Sequence, residues 1–580
     1  MKKKTIALLL IGAVVTTSIT GCSAVISPSY KNRAESGTAY IEAEYPAEAA
    51  ETESYDSRSC DDDSFYTEEA APATEMDCSG IEGACAKAYD AAEESFCSEA
   101  FCPEPYCPVP EYVNGENYKS VAENAFTDVS VSPLSTFGAD IDTASYSNLR
   151  RMINDGFSLS DIPAGSVRTE ELVNYFDYDY KTPRNGDAFA VNASIIDCPW
   201  NRDTKLVNLG IKAKEIKDTD DTPSNIVFLI DVSGSMDSYD KLPLLQMGFD
   251  MLVDGLDERD IVSIVTYASS SDIVIAGVPG NEHTRLKKAI NTLEAGGSTN
   301  GGEGIRSAYK LAEKYFIKGG NNRVIMATDG DLNVGITSED ELEELISDKK
   351  EGGVFLSVLG FGTGNYNEVT LETLADKGNG NYSYIDCLSE AKKVLIDEFN
   401  STLFTVAKDV KFQTEFNPKY VSEYRLIGYE NRQMAAKDFN DDEKDGGEIG
   451  SGHAMTVMYE IKLNEDYDNA EKDSTSLRYQ NTDLSETGRT ADEWLNVSVR
   501  YKEPDEDESK LIYFPVGSAC YTGNPGSDTL FAACVAECGM IINDSDYIGR
   551  VKLKDVYRQA SKLDLDDEYK EEFVELIRNL

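Results

Sequence analysis

Five oxygen-bearing side chains, in three separate stretches of a 580-residue chain, have the types and spacing to hold a hard metal ion. Asp231, Ser233 and Ser235 alternate with Val232 and Gly234 in NIVFLIDVSGSM, Asn225 to Met236. Thr299 lies in the glycine-rich EAGGSTNGGEGIRSAY, Glu294 to Tyr309, and Asp329 in RVIMATDGDLNVG, Arg323 to Gly335. Carboxylates and hydroxyls with no His or Cys among them suit Mg²⁺, with Ca²⁺ or Mn²⁺ as the other hard cations that accept such a set. Each stretch alone also has a plainer use. Ser233 or Ser235 would serve as a helix N-cap, the glycines as a helix start, and Thr328-Asp329-Gly330 as a strand-ending turn.

The flanking segments suggest how these residues would meet. Ile226 to Ile230 is a short apolar, largely β-branched run that stops at a carboxylate, which reads as a strand buried on both faces of a parallel sheet. Val324 to Ala327 has the same form and also stops at an oxygen ligand. An extended turn after the first strand points Asp231, Ser233 and Ser235 the same way, at the carboxyl edge where open α/β sheets place ligands. Gly296, Gly297, Gly301, Gly302 and Gly304 let the Thr299 loop approach another loop closely, just before a helix expected near Glu303.

In this order, D-x-S-x-S, then Thr, then Asp, the three stretches resemble the metal-ion-dependent adhesion site of the von Willebrand factor type A domain, and all five positions are filled. The resemblance implies that Ser233, Ser235 and Thr299 bind largely as neutral hydroxyls, with Asp231 and Asp329 acting directly or through water. An ion so held stays under-neutralised, with a coordination position open to a carboxylate of a partner protein. Further phrases, among them STFGADIDTASYSNLRRMIN, RTEELVNYFDYDY, KLPLL, GGNNRVIMATDGDLNVG and YRLIGYENR, resemble the YfbK-like family of bacterial von Willebrand A lipoproteins. That resemblance runs from about Ala122 to the carboxyl end.

The expected architecture is a doubly wound, mostly parallel α/β sheet over 224-404, inserted in an antiparallel β-sandwich built from 186-223 plus 405-518. Strand cores IVFLI, DIVSIVTY, RVIMAT and VFLSVLG alternate with amphipathic helices such as Lys241 to Leu256. Flanking runs such as AKDVKFQTEF and AMTVMYEIKL alternate as half-exposed strands. A helical segment over 119-185 would precede the sandwich, with Thr143 as an N-cap and Gly156 as a stop. Asp140 and Asp142, beside Ser145, are read as helix caps rather than as a second metal loop. A helical module over 519-580 would close the chain, with Cys534 and Cys538 packing as small apolar groups. The acidic stretch Asp438 to His453 misses the glycine and the bidentate acid of a calcium loop, and reads as a solvated hairpin tip.

Residues 1-21 read as a signal peptide: Lys2, Lys3 and Lys4, an apolar run from Thr5 to Val15, then Ile19-Thr20-Gly21-Cys22. The last four resemble a lipobox, which makes Cys22 the acylated residue and places the chain in the cell envelope, lipid-anchored on the extracytoplasmic face of a bacterial membrane. Residues 22-118 are acidic and aperiodic, a composition that favours a disordered tether. As a flexible coil, roughly 90 residues reach about 50 Å. With Cys22 acylated, eleven of the twelve cysteines remain, an odd number. The six in the tether (Cys60, Cys78, Cys85, Cys97, Cys102 and Cys107) are candidates for disulfides outside the cytoplasm.

The formal charge of −51 becomes −54 when the three leader lysines are removed, which disfavours nucleic-acid binding. Only two histidines occur in the chain, and no nucleophile–base pair is apparent. The expected function is therefore not enzymatic. It is a membrane-anchored adhesion or scaffold protein that binds an acidic side chain of an envelope or surface protein through a divalent ion. The alternative is a metal-dependent enzyme or an accessory subunit of an envelope complex.

Overall fold

Ile226 to Ile230 are wholly buried, and their side chains divide by parity. Ile226, Phe228 and Ile230 face one apolar cluster, with Leu245, Phe249 and Leu395. Val227 and Leu229 face another, with Ile305, Ala308 and Leu374. Burying each such side chain contributes about 1.5–3 kcal/mol, so this strand belongs at the centre of a sheet with helices on both faces. The computed structural model places it there. The residues it describes are Tyr118 and 122–580, apart from 185, 217–221, 300, 331–338, 364–366, 443, 445, 465–484, 505 and 507.

The six strands run in the order Tyr382–Ile385, Phe355–Phe361, Asn321–Thr328, Ser224–Asp231, Ile261–Tyr267 and Ser271–Pro279. All neighbours are parallel except the last pair. After Ser224–Asp231 the chain first adds a strand on one side and later returns to add Asn321–Thr328 on the other. Such a switch point opens a crevice at the carboxyl ends of the strands.

This α/β domain is inserted in a sandwich of two antiparallel sheets. One contains Phe189–Asp197, Lys205–Ala213, Val421–Ile427 and Ala454–Leu463, with a short strand at Thr127–Asp128. The other contains Thr405–Phe416, Leu495–Lys502 and Lys510–Val516, joined by Leu134–Gly138 and Ile449–Gly450. Inner faces of both sheets share one core, including Val207, Phe412, Phe416, Tyr459 and Val497. The chain leaves the sandwich after Lys205–Ala213 and rejoins it at Thr405–Phe416. Leu134–Gly138 pairs with the latter strand, so the amino-terminal segment supplies strands as well as helices.

Helices distant in sequence form a further layer. Ala144–Asn154 and Thr169–Asn174 pack with Ser527–Ile542, Leu553–Ala560 and Glu568–Asn579 around one apolar cluster. Phe176 meets Tyr146, Phe531 and Phe573 edge-on, at centroid distances of 5.1, 5.0 and 5.5 Å. Arg150 ties this layer to the α/β domain. Its guanidinium, 2% exposed, donates to Asp386 at 2.8 Å, Glu390 at 2.7 Å and Glu572 at 2.9 Å. Cys534 and Cys538 are free, buried thiols in the same core.

One local expectation is corrected. Thr143 stands at the N-cap of Ala144–Asn154 without a side-chain capping bond, and neither Asp140 nor Asp142 caps the helix. Arg432 claims Asp140 at 2.9 Å, while Asp142 accepts from the Tyr382 amide at 3.1 Å. The capping carboxylate is Glu171, which accepts from both the amide and the hydroxyl of Ser145 at 3.0 and 2.9 Å. The helix does end as expected, with Asp155 as C-cap and Gly156 at φ +87°. Cys22, the leader and the acidic stretch with its six cysteines lie outside the described residues. No helix among the described residues is long and apolar enough to cross a membrane.

Glu537 gives a pH test of the helical layer. It is 1% exposed, and one oxygen has no hydrogen-bond partner among the described residues. Burial, and then the Asp555 carboxylate, pushes it up to about 7. Its proton is held more tightly folded than unfolded, so stability is full below the ordinary carboxylate range and is lost as pH rises through about 7. Glu537→Gln should therefore gain on the order of 3 kcal/mol over the native chain between about pH 5 and pH 8. Urea unfolding at both pH values checks this. A difference that does not change with pH contradicts it.

Candidate metal centre

The central strand delivers Asp231 to the carboxyl edge with no exposed surface. One carboxylate oxygen accepts from the Ser233 amide at 2.8 Å, which curls the chain into an Asx turn. The other accepts from the Thr328 hydroxyl at 3.2 Å, and so links the first loop to the third. The Oγ atoms of Ser233 and Ser235 lie 3.0 Å apart. Neither serine caps a helix. The short turn Gly234–Asp237 has Ser233 at its N-cap without a capping bond, and Lys241 holds that position for Leu242–Asp254.

The second loop is drawn in by backbone bonds. Gly296 N donates to Val232 O at 2.7 Å, and Gly234 N donates to Gly297 O at 3.0 Å. Gly297 has φ +88°, a conformation that favours glycine, and a Cβ there would crowd the Ser269 hydroxyl at 2.7 Å. Two residues on, Thr299 is 6% exposed, and the helix Gly301–Lys314 follows, starting slightly earlier than Glu303. Asp329, fully buried, follows the strand Asn321–Thr328. Direct contacts thus gather Asp231, Ser233, Ser235 and Thr328. Asp329 joins through its neighbour and through charge, and Thr299 through its loop's backbone.

A residue with no role in the sequence reading stands in this site. Lys241, 6% exposed, places its ammonium 2.9 Å from Asp329 Oδ2. Its stem passes Gly362, where φ is +72° and a Cβ would overlap Lys241 Cε. Tyr384 donates its hydroxyl to Gly362 O at 2.9 Å and steadies that loop. Residues 364–366 of this loop lie outside the described residues, as do 331–338 after Asp329. The signal in the sequence is a lone lysine opening the apolar run KLPLL, six residues beyond Ser235.

Burial pushes Asp231 up to about 6, with the Asp329 charge adding and the Ser233 and Thr328 hydrogen bonds opposing. A carboxylate so disfavoured in its ionised form is one that a cation would stabilise. The donors present fit a hard divalent ion. They are two carboxylates and three hydroxyls, and the 3.0 Å between Ser233 and Ser235 matches adjacent corners of an octahedron with bonds of about 2.1 Å. No group of three or more His, Cys, Asp or Glu side chains arranged for a metal occurs among the described residues. The set here depends on hydroxyls instead.

Comparison with known proteins identifies the domain that carries these residues. The family model for the von Willebrand factor type A domain matches residues 225–397, and another described as von Willebrand factor matches 112–208. A third, described as uncharacterized protein YfbK, C-terminal, matches 401–580. The uncharacterized protein YfbK of Escherichia coli (strain K12) is 42% identical over 471 residues, covering 79% of this chain and 80% of that protein. The chain belongs to the YfbK family. Outside the family, inter-alpha-trypsin inhibitor heavy chain H3 of Mesocricetus auratus is 29% identical over 167 residues, covering 27% of this chain and 18% of that one. Among solved structures, a von Willebrand factor type A protein from Catenulispora acidiphila is 15% identical and covers 70% of this chain and 91% of its own, at a TM-score of 0.38.

Lys241 generates a prediction for this family member. Lys241→Met removes the ammonium beside a fully buried carboxylate and should lower the stability of the chelator-treated chain by about 3 kcal/mol. Urea unfolding in EDTA checks this, and an unchanged midpoint contradicts it.

Proposed function

We propose that this chain is an extracytoplasmic adhesion or scaffold protein whose α/β domain captures an acidic side chain of an envelope or surface protein. The observation that carries the proposal is the paired hydroxyls of Ser233 and Ser235, 3.0 Å apart and next to the buried carboxylate of Asp231. Asp231, Ser233, Ser235, Thr299 and Asp329 would hold a divalent cation, Mg²⁺ fitting best and Ca²⁺ or Mn²⁺ next. Bound there, the ion supplies a Lewis-acidic position for a partner carboxylate.

The remaining parts of the site serve binding. The Asx turn at Asp231 shapes the loop that carries both serine hydroxyls, and the Gly234–Gly297 bond holds the Thr299 loop beside it. Tyr239, 86% exposed just beyond the serines, offers an aromatic face of the kind enriched in protein interfaces. The carboxylates beside the hydroxyls, Asp231 and Asp329, would be engaged by the ion, and the ring of His283 is bonded to the Leu256 carbonyl at 2.9 Å. Binding is therefore favoured over hydrolysis. Acylation at Cys22 would anchor the chain on the outer face of a bacterial membrane, with residues 22-118 as its tether.

Capture from envelope extract by the purified full-length chain tests the proposal. EDTA, Asp231→Ala and Thr299→Ala should each reduce the captured partner at least tenfold, while circular dichroism shows both variants folded. Capture that survives chelation, or either substitution, contradicts the clamp.

A further inference from the structure

A second site lies away from the metal loops, where the amino-terminal segment, the sandwich and the carboxy-terminal helices meet. It is a cavity of about 360 Å³. Its apolar wall comes from Ile162, Val167, Ile427, Met540 and Ile542. Asp544 and Asp546, both exposed, also border it, and Glu170 and Arg425 line it as buried side chains.

The charges in this cavity are not balanced. Arg425 is committed to Glu123 and Glu460, each at 3.0 Å, and its guanidinium lies 4.3 Å from the ring centre of Tyr547. Arg168 pairs with Glu171, and with Glu372 at 2.7 Å. That leaves Glu170, which is 3% exposed. Its Oε2 has no hydrogen-bond partner among the described residues and lies 2.5 Å from where a Cβ on Gly428 would stand. Glycine at 428, at φ +76°, therefore leaves room for this carboxylate. Glu430, half-buried, also lines the cavity and accepts a long bond, 3.4 Å, from the Asn124 amide. Burial first, and then the Glu430 charge, holds the Glu170 carboxyl well above its ordinary range.

An uncompensated carboxylate is costly to bury, and apolar walls around it favour a cation that carries hydrocarbon. A bare metal fits poorly, because no metal-holding group of carboxylates occurs among the described residues. We propose that this cavity binds a primary alkylammonium group, with Glu170 and Glu430 receiving the ammonium and the Ile162, Val167 and Ile542 wall receiving its methylene stem. A free aliphatic amine and the lysine side chain of a partner peptide share this chemistry. The exposed Asp544 and Asp546 would attract either to the mouth.

The test is calorimetry on the full-length chain in EDTA, which keeps the metal loops out of the measurement. The probes are 1-pentylamine, its neutral match 1-pentanol, doubly capped lysine, and calcium chloride in EDTA-free buffer. At least one amine should bind saturably, 1-pentanol should not, and Glu170→Gln, which keeps the shape, should weaken the amine at least tenfold. Glu430→Gln, nearer the surface, should weaken it several-fold and serves if Glu170→Gln fails to fold. Tighter binding of capped lysine assigns a peptide source, and tighter binding of 1-pentylamine a free amine. No binding of either amine, equal binding of 1-pentanol, amine binding undiminished in a folded variant, or calcium uptake abolished by Glu170→Gln would overturn the proposal.

Discussion

Two fully buried carboxylates at the ends of neighbouring parallel strands impose the constraint around which this α/β domain is arranged. Asp231 and Asp329 repel each other and have lost their water, and each feature near them offsets part of that cost. The Ser233 amide and the Thr328 hydroxyl solvate Asp231, and the Lys241 ammonium neutralises Asp329. The neutral Ser233 and Ser235 hydroxyls add donors without adding charge. A cation bound among them would complete the compensation while keeping its appetite for an outside anion. Asp231 ends the central strand, whose backbone is bonded on both sides, and Asp329 directly follows the neighbouring strand, which keeps the pair in place.

The surrounding architecture anchors the domain that carries this edge. The α/β domain starts and ends on strands of the sandwich, so it is held at two points. The buried ion pairs of Arg150 with Asp386 and Glu390 add a third hold. Those pairs are expensive to desolvate, and losing one partner would leave charges buried, so breaking one is costly even where the intact pair adds little to stability. The layer itself is non-local: Tyr146 and Phe573 share one core although more than 400 residues separate them.

Much of the α/β domain was legible in the sequence because its signals are local. The apolar run Ile226 to Ile230 and the Asp, Ser and Ser that follow are read within a dozen residues, and the alternating flanks announced strands of a sandwich. The glycines before Thr299 foretold a close approach, and Gly297 makes it. What escaped the sequence reading depended on distance along the chain. Lys241 looks like any helix-start lysine until Asp329, 88 residues later, folds beside it. Asp140 and Asp142 resembled caps because nothing local reveals that Arg432 claims Asp140, while the actual cap, Glu171, is 26 residues beyond Ser145. Leu134–Gly138 is five residues long and was absorbed into a helical segment, since its partner strand begins at Thr405. The Glu170 cavity likewise has walls from three distant segments.

Calorimetric titration of Mg²⁺ and Mn²⁺ into the EDTA-stripped, full-length chain decides whether the three loops form a site for one hard cation. One ion per chain should be taken up, and that uptake should disappear in Asp231→Ala and in the Ser233→Ala, Ser235→Ala double variant. No uptake by the native chain, or uptake unchanged in those folded variants, would contradict it.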